Sequence, residues 1–138
     1  MKKRLAVDVS ESVEEYMEAL LVSEEDGESI TKIDWVAKRL NIMPPSVVEM
    51  FRKLEKQGFV KYYSHKGVQL LESGRDIAKR IVRNHRLIEL LMKKTLNIDI
   101  DEDNVCGTEH HMNEEFANAL SMLLGNPTKC PHGKDIPK

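Results

Sequence analysis

The pattern between Thr31 and Gly58 constrains the fold of this 138-residue chain more than any other feature. A short amphipathic segment follows Thr31 and ends near Asn41, and Pro44-Pro45 open a second amphipathic segment that ends at Gln57-Gly58. Proline is favoured in the first turn of a helix, where its missing N–H group is not needed. Two helices joined by a turn of about three residues predict a helix-turn-helix.

The segments on either side extend this prediction to a winged helix. Before the motif, Ser10 or Ser12 can cap a helix that ends at Asp26-Gly27. After it, residues 59–63 and 67–71 predict two strands joined by the turn Ser64-His65-Lys66-Gly67. A helix, a helix-turn-helix and a hairpin in this order predict a winged-helix domain, to which we assign residues 1–74.

Residues 75–138 are predicted to form a second, helical domain. A long helix should run from about Arg75 to Thr95, with an apolar stripe that extends to Met92 and Leu96. Asp99 or Asp101 can cap a helix that reaches His111, and Asn113 can cap another over residues 114–124. The tail from residue 126 is predicted to be irregular. The fold class is therefore mainly α with a small β wing.

Charge is distributed unevenly along the chain, whose net charge of -2 conceals the pattern. Residues 30–94 carry 15 basic and 6 acidic side chains, a net charge of +9. Residues 1–29 carry 3 basic and 9 acidic side chains, and residues 95–138 carry 3 basic and 8 acidic ones. The middle is predicted to bind anions and the ends to attract cations, although the ends could instead neutralise the middle within the fold.

The sequence predicts a cytoplasmic protein without a membrane partner. No apolar run approaches the roughly 18 residues of a membrane span, and Met1-Lys2-Lys3-Arg4 is not followed by a signal-peptide core. In such a protein Cys106 and Cys130 are expected to stay reduced, as core residues or metal ligands, rather than to form a disulfide.

Four groups of possible metal ligands have spacings that place each group on one helix face. The groups are Glu15 with Glu18, His85 with Glu89, Cys106 with Glu109 and His110, and Glu102 one turn before Cys106. An imidazole and a carboxylate inside an apolar stripe are costly unless paired, so His85 and Glu89 are either a hydrogen-bonded pair or ligands. Thiolate, carboxylate and imidazole together suit mid-row transition metals, and do not suit calcium or magnesium. The alternative for that group is a core cysteine beside a surface Glu-His pair.

The exposed side of the second helix of the motif predicts contacts with double-stranded DNA. Contacts with phosphates are expected from the basic residues Arg52, Lys53, Lys56 and Lys66. Contacts with base edges are expected from Met43, Pro45, Ser46 and Glu49. The alternative is an ordinary solvated helix surface.

Several short motifs, taken in order, resemble the diphtheria toxin repressor family, which includes iron-dependent regulators and manganese transport regulators. The motifs are Val13-Glu14-Glu15-Tyr16, Pro44-Pro45-Ser46-Val47-Val48-Glu49-Met50, Lys66-Gly67-Val68, Asn84-His85-Arg86-Leu87-Ile88-Glu89, residues 106–110, Leu124-Gly125-Asn126-Pro127 and Cys130-Pro131-His132-Gly133. The resemblance covers nearly the whole chain. It implies a homodimeric, metal-dependent transcriptional repressor that binds operators of metal-homeostasis genes, with residues 75–138 forming the metal-binding and dimerisation domain.

Matched residue by residue, the resemblance also implies two sets of metal ligands. The primary site would comprise Glu15, Cys106, Glu109 and His110, and the ancillary site His85, Glu89 and Glu102. Iron-type members usually have methionine at the first of these positions and cysteine at the second. Manganese-type members have acidic residues at both and a glutamate matching Glu18, so this chain mixes the two patterns.

Ligand chemistry favours Fe(II) over Mn(II), because a thiolate at Cys106 is a soft donor, and Zn(II), Co(II) or Ni(II) should bind in vitro. The Cys-Pro-His-Gly tail matches a feature shared by family members, and Cys130 and His132 are interpreted as structural. The chain is expected to be a short form without the SH3-like domain of longer relatives.

Two other functions are compatible with parts of the pattern. One is a winged-helix regulator that does not sense metal, or whose metal is structural zinc. The other is a metalloenzyme that uses the Cys-Glu-His group, but those ligands would saturate the metal, and the sequence contains neither a phosphate-binding glycine loop nor a nucleophile elbow. We therefore expect neither an enzyme nor a small-molecule substrate.

Overall fold

The structure, a computed structural model, describes residues 10–138, which divide into two compact units, residues 10–79 and 80–138. The Met1-Lys2-Lys3-Arg4 segment lies outside the described residues. Within them the chain forms six α-helices, one π-helical turn and a two-stranded antiparallel sheet. This architecture confirms the predicted fold class. No helix in the described part of the chain is both long enough and apolar enough to span a membrane.

The first unit has the order of elements expected of a winged helix. Its elements are α1 (Glu11–Glu25), α2 (Ile33–Leu40), α3 (Pro44–Lys56), β1 (Val60–Tyr63) and β2 (Gly67–Leu70). Ser10 caps α1, and its side chain accepts a hydrogen bond from the Val13 N–H at 3.2 Å. Asn41 ends α2 in the left-handed conformation, and Pro44 begins α3. The turn and cap residues therefore act where the sequence predicts.

The wing is joined to the segment that precedes α2. Strands β1 and β2 pair from Val60 with Leu70 to Tyr63 with Gly67. Thr31 also exchanges two backbone hydrogen bonds with Val68, at 2.8 and 2.9 Å. Gly67 has φ +139°, and a Cβ atom there would overlap the carbonyl oxygen of Thr31. Glycine therefore permits both the end of the turn and the close approach of the two chain segments.

An apolar core holds the three helices of this unit together. Phe51 is completely buried and packs edge-to-face against Tyr16, with ring centroids 5.3 Å apart. Val47 and Leu54 lie on the same stripe of α3 and are also fully buried. Met50 lies at the edge of that stripe and is only half-buried.

The second unit contains the end of α4 (Glu72–Leu90), a π-helical turn (Leu91–Thr95), α5 (Glu102–Glu109) and α6 (Glu114–Leu123). The prediction placed the start of the long helix at about Arg75, but the helix begins at Glu72, and the Arg75 N–H already donates to the Leu71 carbonyl at 2.8 Å. Regular α-helix also ends at Leu90 instead of Thr95. Leu96 consequently lies beyond the helix and is 53% exposed, so its assignment to the apolar stripe was wrong.

Short polar caps position the last two helices. Asp101 accepts hydrogen bonds from the N–H groups of Asp103 and Asn104, and Asn113 accepts one from Phe116 at 2.8 Å. Behind these helices lies a second apolar core, which comprises Leu87, Ile88, Leu90, Val105, Met112, Ala117, Leu120, Cys130 and Ile136. The tail contributes the last two members of this core.

Candidate metal centre and DNA-binding surface

The predicted ligands on α4 and those on α5 lie close together in the second unit. Nε2 of His85 lies 3.4 Å from a carboxylate oxygen of Glu89 and 3.4 Å from one of Glu102. Nδ1 of the same ring lies 2.9 Å from Oε2 of Glu109. One donor atom from each of His85, Glu89 and Glu102 lies within 4.8 Å of the others, a spacing compatible with a shared metal ion.

Asn84, which the sequence analysis did not single out as functional, positions this cluster. Its buried side-chain amide donates to the carbonyl oxygens of Glu109, at 2.9 Å, and Met112, at 3.2 Å. Because the Glu109 carbonyl is in the last turn of α5 and the Met112 carbonyl follows shortly after it, the amide attaches that end of the helix to α4. Glu109 is thereby held opposite His85. The sequence signal that could have identified Asn84 is its position as a polar residue next to His85 within an apolar stripe.

Glu109 provides the test of whether a cation fits. Its side chain is 0% exposed, and Oε1 lies 3.6 Å from Nε2 of His110, beyond hydrogen-bonding distance. Among residues 10–138, no group donates a hydrogen bond to that oxygen. A buried carboxylate oxygen without a donor is costly, and a metal ion would offset that cost. The donor set of imidazoles and carboxylates therefore fits a divalent cation.

The adjacent carboxyl groups of Glu89 and Glu102 influence each other. Burial and the neighbouring charge of Glu89 raise the pKa of Glu102. Burial would also raise the pKa of Glu89, but hydrogen bonding to His85 and the charges of His85 and His132 outweigh it and lower that pKa. Two carboxyl groups this close favour a shared proton or a bound cation.

The remaining predicted ligands lie on α1 and α5. Cys106 is half-buried on α5, one helical turn before the buried His110, and neither Cys106 nor Cys130 is part of a disulfide. Glu15 and Glu18 are half-buried on α1, in the first unit. The assignment of these glutamates to one ion with Cys106, Glu109 and His110 stays a prediction.

All the residues predicted to contact DNA are exposed on α3, just before it or in the wing. They are Met43, Pro45, Ser46, Glu49, Arg52, Lys53, Lys56 and Lys66. The guanidinium of Arg52 lies 5.6 Å from the centre of the Tyr62 ring, an interaction that orients a cation on this surface. The Tyr62 N–H also donates to Oε2 of Glu55 at 2.9 Å, which ties the wing to α3. The sequence did not predict the contact of Tyr62 with this surface, because no motif or spacing pattern marks that tyrosine.

Comparison with known families matches both units. The N-terminal DNA binding domain of the iron dependent repressors matches residues 8–68, and their metal binding and dimerisation domain matches residues 71–138. These are repressor domains, which confirms the expectation of a regulator and not an enzyme.

Individual relatives agree with the family models. The diphtheria toxin repressor of Corynebacterium diphtheriae is 30% identical over 132 residues, which are 94% of this chain and 58% of the relative. An uncharacterized HTH-type transcriptional regulator of Methanocaldococcus jannaschii is 30% identical over 118 residues, which are 84% of this chain and 94% of the relative.

A solved manganese-dependent transcriptional repressor in complex with manganese superposes with a TM-score of 0.83 at 27% identity. The match covers 91% of this chain and 58% of that one, so this chain spans just over half the length of several relatives. With both domain models matched in order along nearly all of its length, the chain belongs to the iron-dependent repressor family.

Proposed function

We propose that this chain is a metal-activated transcriptional repressor, which binds operator DNA of metal-homeostasis genes as a homodimer and prefers Fe(II) to Mn(II). The observation that carries the proposal is the buried Glu109 beside His85, in a chain whose other unit is a winged helix. A carboxylate in that position costs free energy in the metal-free protein, and metal binding recovers it.

The ligands are assigned to two neighbouring sets. Glu15, Cys106, Glu109 and His110 form the primary set, and His85, Glu89 and Glu102 form the ancillary set. Glu18 is an additional carboxylate ligand. Glu15 and Glu18 are assigned from their shared face on α1 and from the resemblance to the family. The contact of 2.9 Å between His85 and Glu109 supports coupling between the two sets, because each residue constrains the orientation of the other.

When bound, a divalent cation supplies the positive charge that offsets repulsion among the clustered carboxylates. The preference for Fe(II) rests on the thiol of Cys106, since Mn(II) binds oxygen donors more readily than thiolates. A relative solved with manganese shows that the family fold also accepts the harder ion, so Mn(II) is the second choice.

The outer face of α6 supports the homodimer. Phe116, Met122 and Leu123 share one side of that helix and are mostly exposed, Met122 by 72%. Exposed apolar side chains grouped in this way are typical of an interface. The matching family model describes this region as a metal binding and dimerisation domain, which supports a second copy of the chain as the partner. Such a dimer would read half-sites about 34 Å apart on DNA.

On the DNA, Arg52, Lys53, Lys56 and Lys66 supply phosphate contacts. Met43, Pro45, Ser46 and Glu49 face the base edges. Phosphate contacts give affinity and salt dependence, whereas base contacts give sequence preference.

The test is a metal titration of DNA binding under anaerobic conditions. A DNA duplex is first selected from a random pool with Fe(II)-loaded protein, and its affinity is then measured by fluorescence anisotropy with Fe(II), with Mn(II) and without metal. Cys106→Ala and Glu15→Ala should weaken metal-dependent binding about tenfold or more while the dimer persists in sedimentation. Glu11→Ala, an exposed position on α1, is the matched control.

Two outcomes would contradict the proposal. An unchanged metal response in Cys106→Ala and Glu15→Ala would overturn the ligand assignment. Equal affinity of the wild-type protein for the duplex with and without metal would indicate a winged-helix regulator that does not sense metal.

A further inference from the structure

One side chain on the exposed face of α3 carries a charge that DNA phosphates repel. Residues 30–94 have a net charge of +9, yet Glu49 lies on this face and its side chain is 74% exposed. Glu49 is one helical turn after Pro45 and one turn before Lys53, so the three residues share a side of the helix. A carboxylate on a surface that approaches DNA needs a donor on the DNA to offset its repulsion from the phosphates.

The contacts of Glu49 within the protein leave its carboxylate oxygens available. Among residues 10–138 its ion pair is with Lys53, whose Nζ lies 3.8 Å from Oε1 of Glu49. That distance is longer than a hydrogen bond, and an ion pair between two exposed side chains stabilises a helix only slightly. The other glutamate of α3, Glu55, instead accepts a hydrogen bond from the Tyr62 N–H at 2.9 Å. Glu55 therefore has a structural role that Glu49 lacks.

Glu49 also lies where a helix-turn-helix reads bases. It belongs to the second turn of α3, which begins at Pro44. The N-terminal part of a recognition helix contacts base edges in the major groove. The basic residues Arg52, Lys53 and Lys56 follow Glu49 toward the end of the helix. The carboxylate is therefore on the part of the surface that reads bases, and the cations that suit phosphates come after it.

The chemistry of the base edges determines which base a carboxylate can bind. An ionised carboxylate accepts hydrogen bonds and donates none. In the major groove guanine presents N7 and O6, and thymine presents O4, all of which are acceptors. Adenine presents its N6 donor beside the N7 acceptor, which repels the second carboxylate oxygen, whereas cytosine presents only its N4 amino donor. Cytosine is therefore the base that a carboxylate matches best.

We propose that Glu49 is a specificity-determining residue, which accepts a hydrogen bond from the N4 amino group of a cytosine at one position in each half-site. This inference rests on the proposed function and adds to it the identity of one base pair. The ammonium group of Lys53 lowers the repulsion between this carboxylate and the nearby phosphates. The hydrogen bond to cytosine offsets what remains of that repulsion, so other bases at this position are disfavoured.

The first experiment selects duplexes from a random pool with the Fe(II)-loaded full chain. Glu49→Gln keeps the size of the side chain but provides both a donor and an acceptor, which match N7 and N6 of adenine. The variant should therefore select adenine where the wild-type protein selects cytosine. Glu28→Gln, at an exposed position of the first unit outside α3, is the matched control and should select the wild-type sequence. Selection of the same base at every position by the wild-type protein and Glu49→Gln would overturn the proposal.

The second experiment measures affinity by fluorescence anisotropy for two duplexes that differ only at this base pair. The wild-type protein should bind the duplex with cytosine about tenfold or more tightly than the duplex with adenine, and Glu49→Gln should reverse the order. An equal change in affinity for both duplexes would show that Glu49 acts only through Lys53, and would also overturn the proposal.

Failure of this proposal and failure of the proposed function give different results. Selection of the same duplex with and without metal contradicts metal activation. The comparison of Glu49→Gln with the wild-type protein still decides the role of Glu49 in that case, because base preference depends on α3 and not on the metal ligands.

Discussion

The two units of the molecule bury different kinds of side chain. Glu14 is the one buried carboxylate among residues 10–79, where the other buried polar side chains, Ser23 and Thr31, hydrogen-bond to each other and every basic residue except the half-buried Arg75 is exposed. Among residues 80–138, the charged or titratable side chains Arg86, Glu89, Glu109 and His110 are all buried. Apolar packing therefore accounts for most of the stability of the first unit. The second unit also needs a partner that offsets the charge of its buried carboxylates. This difference agrees with the proposed roles, in which metal binding centres on the second unit and the first unit contacts DNA.

The largest expected effect tests the packing of the first unit. Phe51→Ala removes a completely buried ring and should lower the free energy of unfolding by about 4 kcal/mol, measured by urea denaturation. Added metal should not reduce that loss, because Phe51 belongs to the unit without the buried histidine-carboxylate cluster. Met43→Ala, at a position 70% exposed, should change the free energy of unfolding by less than about 0.5 kcal/mol. A similar loss in both variants would contradict the comparison.

The next effect tests the buried charge of the second unit. Metal at one hundred times its dissociation constant should stabilise the wild-type protein by about 2.7 kcal/mol. Glu109→Gln keeps the shape of the side chain but removes its charge, and should lose most of that gain in thermal denaturation with and without Fe(II). Glu114→Gln, exposed in the first turn of α6, is the control and should keep it. Full stabilisation of the Glu109 variant would show that its carboxylate is not a ligand.

A smaller effect concerns DNA affinity. Lys53→Ala should weaken DNA binding several-fold, and should reduce the slope of log affinity against log salt concentration by about 0.9, the value for one lost phosphate contact. Lys93→Ala removes an exposed lysine of the second unit and should leave the slope unchanged. Anisotropy titrations over a series of salt concentrations measure both. Equal slopes for the wild-type protein and the Lys53 variant would show that Lys53 makes no phosphate contact, and would contradict the assignment of α3 to the DNA-binding surface.

The smallest effect is confined to the surface of the second unit. A hydrogen bond and the charge of Lys129 hold the pKa of Asp135 below its usual value of 3.8. A lowered carboxyl pKa contributes stability above the unfolded-state value, and that contribution is lost as the pH falls through the folded-state value. Lys129→Ala should therefore raise the pKa of Asp135 toward 3.8 in an NMR titration. Lys138→Ala should not, and no shift in the Lys129 variant would contradict the assignment of the ion pair.

Sequence reasoning predicted the first unit more fully than the second. Asn41, Pro44 and Gly67 act on their immediate neighbours, so their effect is readable from short segments. The ligand groups on α4 and α5 were recognised because residues three or four apart share a helix face. The attachment of α5 by Asn84 was missed, because a hydrogen bond to a distant carbonyl leaves no spacing pattern.

The sequence by itself determined the order of the helices and strands, the exposed basic surface of α3 and the identity of the possible ligands. These features depend on residues close together along the chain, whose propensities and periodicity act locally. Only the tertiary structure decided that His85 meets Glu102 and Glu109, and that Cys130 and His132 approach Glu89. Those distances result from the packing of α4, α5 and the tail around one apolar core, which neighbouring residues in the sequence do not specify.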